Sequence, residues 1–152
     1  MEYNHFMRIY LDTCALQRPL DDQTQPRIRV ETEAVLAILA AAQVGDVVLV
    51  NSEAIEYEVG RIPDDQRRSE AAAILALCGE RLDITDEAER LAESFENRGI
   101  SSMDAVHLAL ASTARVDFFT TCDERLLQKA DTETELGCRV VSALALASEV
   151  LR

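Results

Sequence analysis

Short apolar runs alternate with helical stripes along the chain. Runs of four to six mainly apolar residues predict buried strands. Apolar residues spaced three or four apart predict the helices between them. The predicted strands cover residues 7–11, 47–50 and 116–121, with weaker candidates at 82–84 and 138–141. Strands that alternate with helices predict an α/β fold, with a mostly parallel sheet of four or five strands and helices on both faces.

Turn and cap residues mark where the predicted helices begin and end. Pro26 suits the first turn of a helix whose apolar stripe runs to Ala42. Asp86 and Glu89 have the spacing of a capping box. Ser101 or Ser102 is expected to cap a helix that is apolar nearly all round and therefore buried. A closing helix is predicted over 142–151.

Composition favours one soluble globular domain over the whole of residues 1–152. Hydrophobic residues make up 48% of the chain and charged residues 28%, which is typical of such domains. The net charge is −13, whereas nucleic-acid binders usually carry a basic surface. A nucleic-acid ligand would therefore need a local Arg cluster or metal ions, and a basic protein partner is also compatible with this charge.

Cysteine spacing argues against a zinc site. The four cysteines, Cys14, Cys78, Cys122 and Cys138, form no C-x-x-C pair. Reduced and mostly buried thiols in a cytoplasmic protein are expected instead. Neither a signal peptide nor a membrane span is expected, because the longest apolar stretch is short and has a helical pattern.

Four carboxylates lie near the ends of predicted strands. Asp12 directly follows the first strand, Glu58 lies in the helix after the second, Asp104 opens the buried helix, and Asp123 follows the strand that ends at 121. Ligands of open α/β sheets bind outside the carboxyl ends of the strands. These acids are therefore candidates for one common site.

Each acid also has an ordinary structural explanation. Asp12 and Asp123 can be N-caps of the helices that follow them, and Ser101-x-x-Asp104 has capping-box spacing. Glu53 and Glu56 compete with Glu58 for the same role, although Glu58 lies closest to the apolar stripe of its helix. His107, one turn after Asp104, is expected to be a packed and hydrogen-bonded residue, not a ligand.

Taken together, the acids predict a divalent cation. Two carboxylates ~4 Å apart repel each other by roughly 4 kcal/mol at an effective dielectric constant near 20. A fold that gathers four of them needs a positive charge between them, and all-oxygen ligation suits Mg²⁺ or Mn²⁺. Asp12, Asp104 and Asp123 are the predicted metal ligands, with Glu58 completing the set or orienting the attacking water.

The acids lie within segments that resemble the PIN-domain nucleases, the family that includes the VapC-type toxins of prokaryotic toxin–antitoxin pairs. The Asp-Ala-x-His-Leu-Ala segment is the most specific match. The matching segments run in family order over residues 9–14, 51–58, 102–109 and 120–123.

This resemblance implies a three-layer α/β/α fold and Mg²⁺- or Mn²⁺-dependent cleavage of single-stranded RNA, frequently by a homodimer and in some cases as a toxin paired with an antitoxin protein. The four family acids fall on Asp12, Glu58, Asp104 and Asp123. The small hydroxyl residues beside the first and fourth acids fall on Thr13 and Thr121.

Two other functions are compatible with parts of the pattern. A strand-end Asp can accept phosphate, but the haloacid-dehalogenase pattern wants a second Asp where Cys14 stands, and a receiver-like domain wants a strand-end Lys, whereas Lys129 lies in a predicted helix. A PIN-like module that binds RNA or a protein without cutting is the other alternative.

The sequence also contains two Arg-rich regions, which are candidates for phosphate contacts or for solvated helix faces. They are Arg61/Arg67/Arg68 and Arg8/Arg18/Arg27/Arg29.

Overall fold

Five parallel strands form the central sheet of the computed structural model, which describes residues 6–150. Their order in the sheet is β3-β2-β1-β4-β5. The strands are β1 (Met7–Leu11), β2 (Val47–Ser52), β3 (Glu80–Leu82), β4 (Phe118–Thr121) and β5 (Arg139–Ser142). The predicted parallel sheet is therefore confirmed.

Helices connect the strands and cover the sheet. A short 3₁₀ turn follows the first helix. Within residues 6–150 the helices are α1 (Thr13–Gln17), α2 (Pro26–Gln43), α3 (Glu53–Gly60), α4 (Asp65–Leu75), α5 (Asp86–Asn97), α6 (Ser102–Thr113), α7 (Glu124–Asp131) and α8 (Ala143–Val150). None of these helices has the length and apolar character that a membrane crossing requires.

Side chains of the central strands point alternately to the two faces of the sheet, and each face has its own core. Tyr10 and Phe119 belong to the core that α3, α5 and α6 cover. Ile9, Leu49 and Phe118 belong to the core that α2 and α8 cover. The result is the three-layer α/β/α sandwich that the sequence predicted.

The order in which the chain adds strands to the sheet switches sides at β1. After β1 the chain passes to β2 on one side, and it later returns to place β4 on the other side. The backbone N–H of Asp12 continues this pairing by donating to the carbonyl of Thr120, with an N···O distance of 2.9 Å. The ends of β1 and β4 thus form a topological switch point, where open α/β sheets bind their ligands.

Several element boundaries differ from those predicted. The cap of α5 is Thr85, whose hydroxyl oxygen accepts a hydrogen bond from the N–H of Ala88 at 3.1 Å, so the capping box at Asp86 was wrong. The weak strand predicted at 82–84 lies instead at Glu80–Leu82, where Leu82 pairs with Ser52 at the end of β2. Beyond it, the N–H of Ile84 bonds to a Glu53 side chain. The helix predicted over 142–151 begins at Ala143, and residue 151 lies outside the described residues.

Candidate active site

Asp12 lies at the switch point and is 5% exposed. Its Oδ1 accepts a hydrogen bond from the N–H of Thr13 at 2.8 Å, which caps α1. Its Oδ2 accepts from the Thr121 hydroxyl at 2.8 Å and from the Cys14 thiol at 3.2 Å. The carboxylate therefore caps a helix, as its ordinary explanation predicted, and is also held rigidly at the end of the sheet.

Glu58 faces Asp12 from α3, and Thr13 joins the two acids. The Thr13 hydroxyl donates to Glu58 Oε1 at 2.6 Å, and the same oxygen contacts His107 Nε2. Burial alone would raise the pKa of Glu58, but the hydrogen bonds from His107 and Thr13 outweigh it and leave that pKa below its usual value. The side chain is thus a fixed carboxylate beside Asp12.

The two competing glutamates of α3 point elsewhere. Glu53 accepts the N–H of Ile84 at 2.9 Å. Glu56 forms an ion pair with Arg81 at 2.9 Å and accepts from the Asn51 amide at 2.8 Å. Geometry therefore favours Glu58 over both as the second acid.

Asp104 lies in the first turn of α6 and is half-buried. The hydroxyl of Ser101 donates to its Oδ2 at 2.8 Å, whereas no backbone N–H donates to that hydroxyl, so the capping box is incomplete. Burial raises the pKa of Asp104, and the negative charges of Asp12 and Asp123 raise it further. This coupling places Asp104 within the electrostatic reach of both acids.

Asp123 caps α7 and also belongs to the candidate site. Its Oδ1 accepts the N–H of Arg125 at 2.9 Å at the start of α7. Its own N–H donates to the Thr121 hydroxyl at 3.1 Å, and that hydroxyl donates to Asp12. Asp123 also lines a pocket of about 200 Å³ together with Asp104. A single run of hydrogen bonds therefore connects Glu58, Thr13, Asp12, Thr121 and Asp123.

Sequence reasoning did not foresee that the polar side chains of Tyr10, Ser52 and His107 meet beneath the acids. Tyr10 Oη lies 2.7 Å from Ser52 Oγ and 2.6 Å from His107 Nδ1. His107 is a packed, hydrogen-bonded residue as predicted, but it contacts Glu58 directly. The spacing of Asp104 and His107 indicated only that these two lie one helical turn apart, and it gave no signal of the contact with Glu58.

The donor set fits a hard divalent cation. One ligand atom from each of Asp12, Glu58 and His107 lies within 4.8 Å of the other two. Asp104 and Asp123 lie outside this group and line a pocket together. Carboxylate oxygens dominate, which suits Mg²⁺ or Mn²⁺. Packed carboxylates without a cation would repel each other, so a cation also relieves the electrostatic cost of the cluster.

Most of the arginines in the two predicted Arg-rich regions are engaged in ion pairs. Arg67 donates to the Leu20 carbonyl at 3.0 Å and pairs with Asp21. Arg8 pairs with Glu80. By contrast, Arg125 and Lys129 line the pocket that holds Asp104 and Asp123, and Lys129 also donates to the carbonyl of Gly99. Two cationic residues of α7 therefore line the same pocket as Asp104 and Asp123.

Comparison with known proteins identifies the family. The family model of the PIN domain matches residues 9–132, a segment that contains all four acids, so the chain belongs to the PIN-domain family. PIN domains are generally nucleases that use divalent metal ions. The matched segment and the observed fold together confirm the predicted family.

A solved structure shares the fold. It is VapBC2 from Rickettsia felis bound to a DNA fragment from their promoter, with a TM-score of 0.59 and 13% sequence identity over 90% of this chain and 98% of that chain. No curated protein matches the chain. At this identity the structural likeness extends to the fold alone.

Proposed function

We propose that this PIN-domain protein is a Mg²⁺- or Mn²⁺-dependent endoribonuclease that hydrolyses phosphodiester bonds of single-stranded RNA. The observation that carries the proposal is the connected set of acids at the switch point. Thr13 joins Asp12 to Glu58, and Thr121 joins Asp12 to Asp123. Thr13 contacts two carboxylates, Asp12 through its backbone N–H and Glu58 through its hydroxyl, whereas a helix cap alone requires only the N–H contact.

Asp12, Asp104 and Asp123 would hold the metal ion or ions, directly or through water. A bound Mg²⁺ or Mn²⁺ supplies Lewis acidity, which activates water and offsets the negative charge that develops on the phosphate. Glu58 has both Thr13 and His107 on Oε1, so its Oε2 is left to complete the ligand set or to orient the attacking water and accept its proton.

The test of this function is cleavage of a single-stranded RNA oligonucleotide by the purified protein. We expect cleavage with Mn²⁺ and none after the metal is removed by EDTA, with activity restored when Mn²⁺ is added back. Calorimetry with Mn²⁺ tests the alternative of a non-catalytic module. A protein that binds RNA but neither binds Mn²⁺ nor cuts RNA would contradict the proposal.

A pair of matched glutamate variants tests the second acid. We expect Glu58→Gln to lower kcat by about a hundredfold, because an amide keeps the shape but loses the charge and the proton-accepting oxygen. Glu56→Gln disturbs an exposed ion pair with Arg81, worth ~0–1 kcal/mol, and a hydrogen bond from the Asn51 amide; neither touches Asp12, and the variant is expected to keep full activity. Single-turnover cleavage measures both, and equal loss in the two variants would refute the assignment.

Substrate contacts on an acidic protein need a local source of positive charge. The chain has a net charge of −13, yet Arg125 and Lys129 flank the acids in one pocket. Arg125 also lines the adjacent cleft with Arg18 and Arg27. We propose that RNA phosphates adjacent to the cleaved bond contact this side of α7.

Replacing Arg125 tests whether RNA phosphates contact this side of α7. We expect Arg125→Ala to raise KM for RNA by about tenfold with kcat little changed, and to reduce the dependence of binding on salt by about one phosphate contact. Arg90→Ala is the matched control, because Arg90 lines a cleft near the far end of α6. Fluorescence anisotropy over a salt series measures both variants, and indistinguishable slopes would contradict this contact.

A protein partner is also proposed. The solved relative of the same fold is a VapBC2 assembly, and an acidic chain suits a partner with a basic segment. We propose that the protein is the toxin of such a pair, acts as a homodimer and resides in the cytoplasm, where its four free thiols stay reduced. Co-purification with the product of a neighbouring gene would test the pairing.

A further inference from the structure

A buried chain of polar side chains runs beneath the acids and ends on Glu58. Ser52, Tyr10 and His107 are each at most 1% exposed. They come from the end of β2, from β1 and from α6, and Glu58 comes from α3. The contacts run in order from Ser52 to Tyr10, to His107 and to Glu58.

The hydrogen-bond partners of Ser52 set the direction of this chain. The Ser52 hydroxyl oxygen accepts the N–H of Ile55 at 3.0 Å, which caps α3. In the described part of the chain, Tyr10 Oη is the remaining partner of that hydroxyl, so the Ser52 proton points to Tyr10. Tyr10 then donates its own proton to His107 Nδ1, and the His107 proton lies on Nε2, facing Glu58.

The surroundings of Tyr10 suit it to donate a hydrogen bond. Burial raises the pKa of Tyr10 above its usual value, so its hydroxyl stays a proton donor. The Tyr10 ring stacks on Phe119 with centroids 5.4 Å apart, which fixes the hydroxyl in place. A Phe at position 10 would fill the same volume without a buried hydroxyl. The polar atom therefore serves something other than packing.

We propose that Tyr10 and His107 are positioning residues: the Ser52–Tyr10–His107 relay fixes His107 as the Nε2–H tautomer, which aims Glu58 at the metal site. Glutamate has a flexible side chain, and holding one of its oxygens with two donors, His107 and Thr13, restricts it to one orientation. This inference rests on the proposed nuclease function only for the part that Glu58 plays in cleavage.

Tyr10→Phe is the main test, because it removes one oxygen and keeps the ring. We expect kcat to fall about tenfold and Mn²⁺ affinity to weaken by a similar factor, as is usual when the support of a metal ligand or catalytic carboxylate is lost. KM for RNA is expected to stay within twofold. Tyr57→Phe is the matched control, since Tyr57 is 57% exposed on α3, and it is expected to behave as the unmodified protein.

A spectroscopic readout separates positioning from general destabilisation. The nitrogen shifts of ¹⁵N-labelled histidine report the tautomer directly, and His5→Gln leaves a single histidine to observe; His5 lies outside the described residues. We expect His107 to be the Nε2–H tautomer in the unmodified protein and a tautomer mixture in Tyr10→Phe. A Nδ1–H ring, or no change in Tyr10→Phe, would overturn the relay.

A second variant keeps the proposal testable if Tyr10→Phe folds poorly. His107→Gln retains an N–H that can reach Glu58 but breaks the link to Tyr10. We expect Tyr10→Phe to cause no further loss of Mn²⁺ affinity in the His107→Gln background, whereas independent losses would contradict the relay. These measurements need no RNA, so a protein that fails to cut RNA would refute the proposed function while the relay is still decided by the tautomer and by Mn²⁺ binding.

Discussion

The Asp12→Asn variant is expected to lose metal-dependent RNA cleavage, with kcat falling by about a thousandfold or more. Asp12 is the buried acid through which both halves of the site are connected, by Thr13 on one side and Thr121 on the other. Asparagine has nearly the same volume but no charge. It therefore removes the central negative ligand, a loss comparable to or greater than that of one key electrostatic contact in other enzymes.

The same variant is expected to remain folded. The asparagine Oδ1 can still accept the N–H of Thr13, and the Thr121 hydroxyl can rotate to accept from the new amide. We expect a loss of stability of about 1–2 kcal/mol. Relief of repulsion with Asp104, whose pKa the Asp12 charge raises, offsets part of this loss.

Circular dichroism, thermal denaturation and Mn²⁺ calorimetry, run beside the cleavage assay, separate loss of chemistry from loss of fold. Asp46→Asn is the matched control, because Asp46 is an exposed acid in the turn before β2. Full cleavage by Asp12→Asn would show that the chemistry lies elsewhere, and the nuclease proposal would have to be abandoned.

The sheet and its switch point could be predicted from the sequence because the signals are local. Residues 7–11 and 47–50 are continuous apolar runs, which buried parallel strands require, and Asp12 follows the first run directly. Position after a strand was enough to place Asp12 and Asp123 at one edge of the sheet. Helical spacing favoured Glu58 as the second acid, but the fold was needed to show that Glu53 and Glu56 bond elsewhere while Glu58 meets Thr13.

The support beneath the site was not predictable in the same way. Tyr10 lies within an apolar run, so the sequence predicts only that it is a core residue. Its partners Ser52 and His107 are 42 and 97 residues away along the chain. Nothing local in the sequence encodes a contact of that range. Arg125 was missed for a related reason, because only the folded chain brings it into one pocket with Asp104, and no charge run in the sequence indicates this.

Gly137→Ala is expected to destabilise the fold by about 3 kcal/mol. A Cβ at Gly137 would lie 2.2 Å from the carbonyl oxygen of Ser112 and 3.0 Å from its carbonyl carbon. These are backbone atoms of α6, so they cannot rotate away as a side chain would. Either the segment before β5 or the end of α6 must shift, and forced overpacking of this kind costs ~1–3 kcal/mol or occasionally more.

Thermal denaturation measures this cost, with an expected fall in Tm of about 6–12 °C for a domain of this size. Gly60→Ala is the matched control: it makes the same chemical change at the end of α3, where a Cβ would meet nothing within 4 Å. There alanine is expected to be neutral or to stabilise the helix by up to ~1 kcal/mol. If alanine lowers the stability at position 137 but not at position 60, the contact with Ser112 is the cause. Equal changes in stability at the two glycines would show that residues 112 and 137 are not packed against each other.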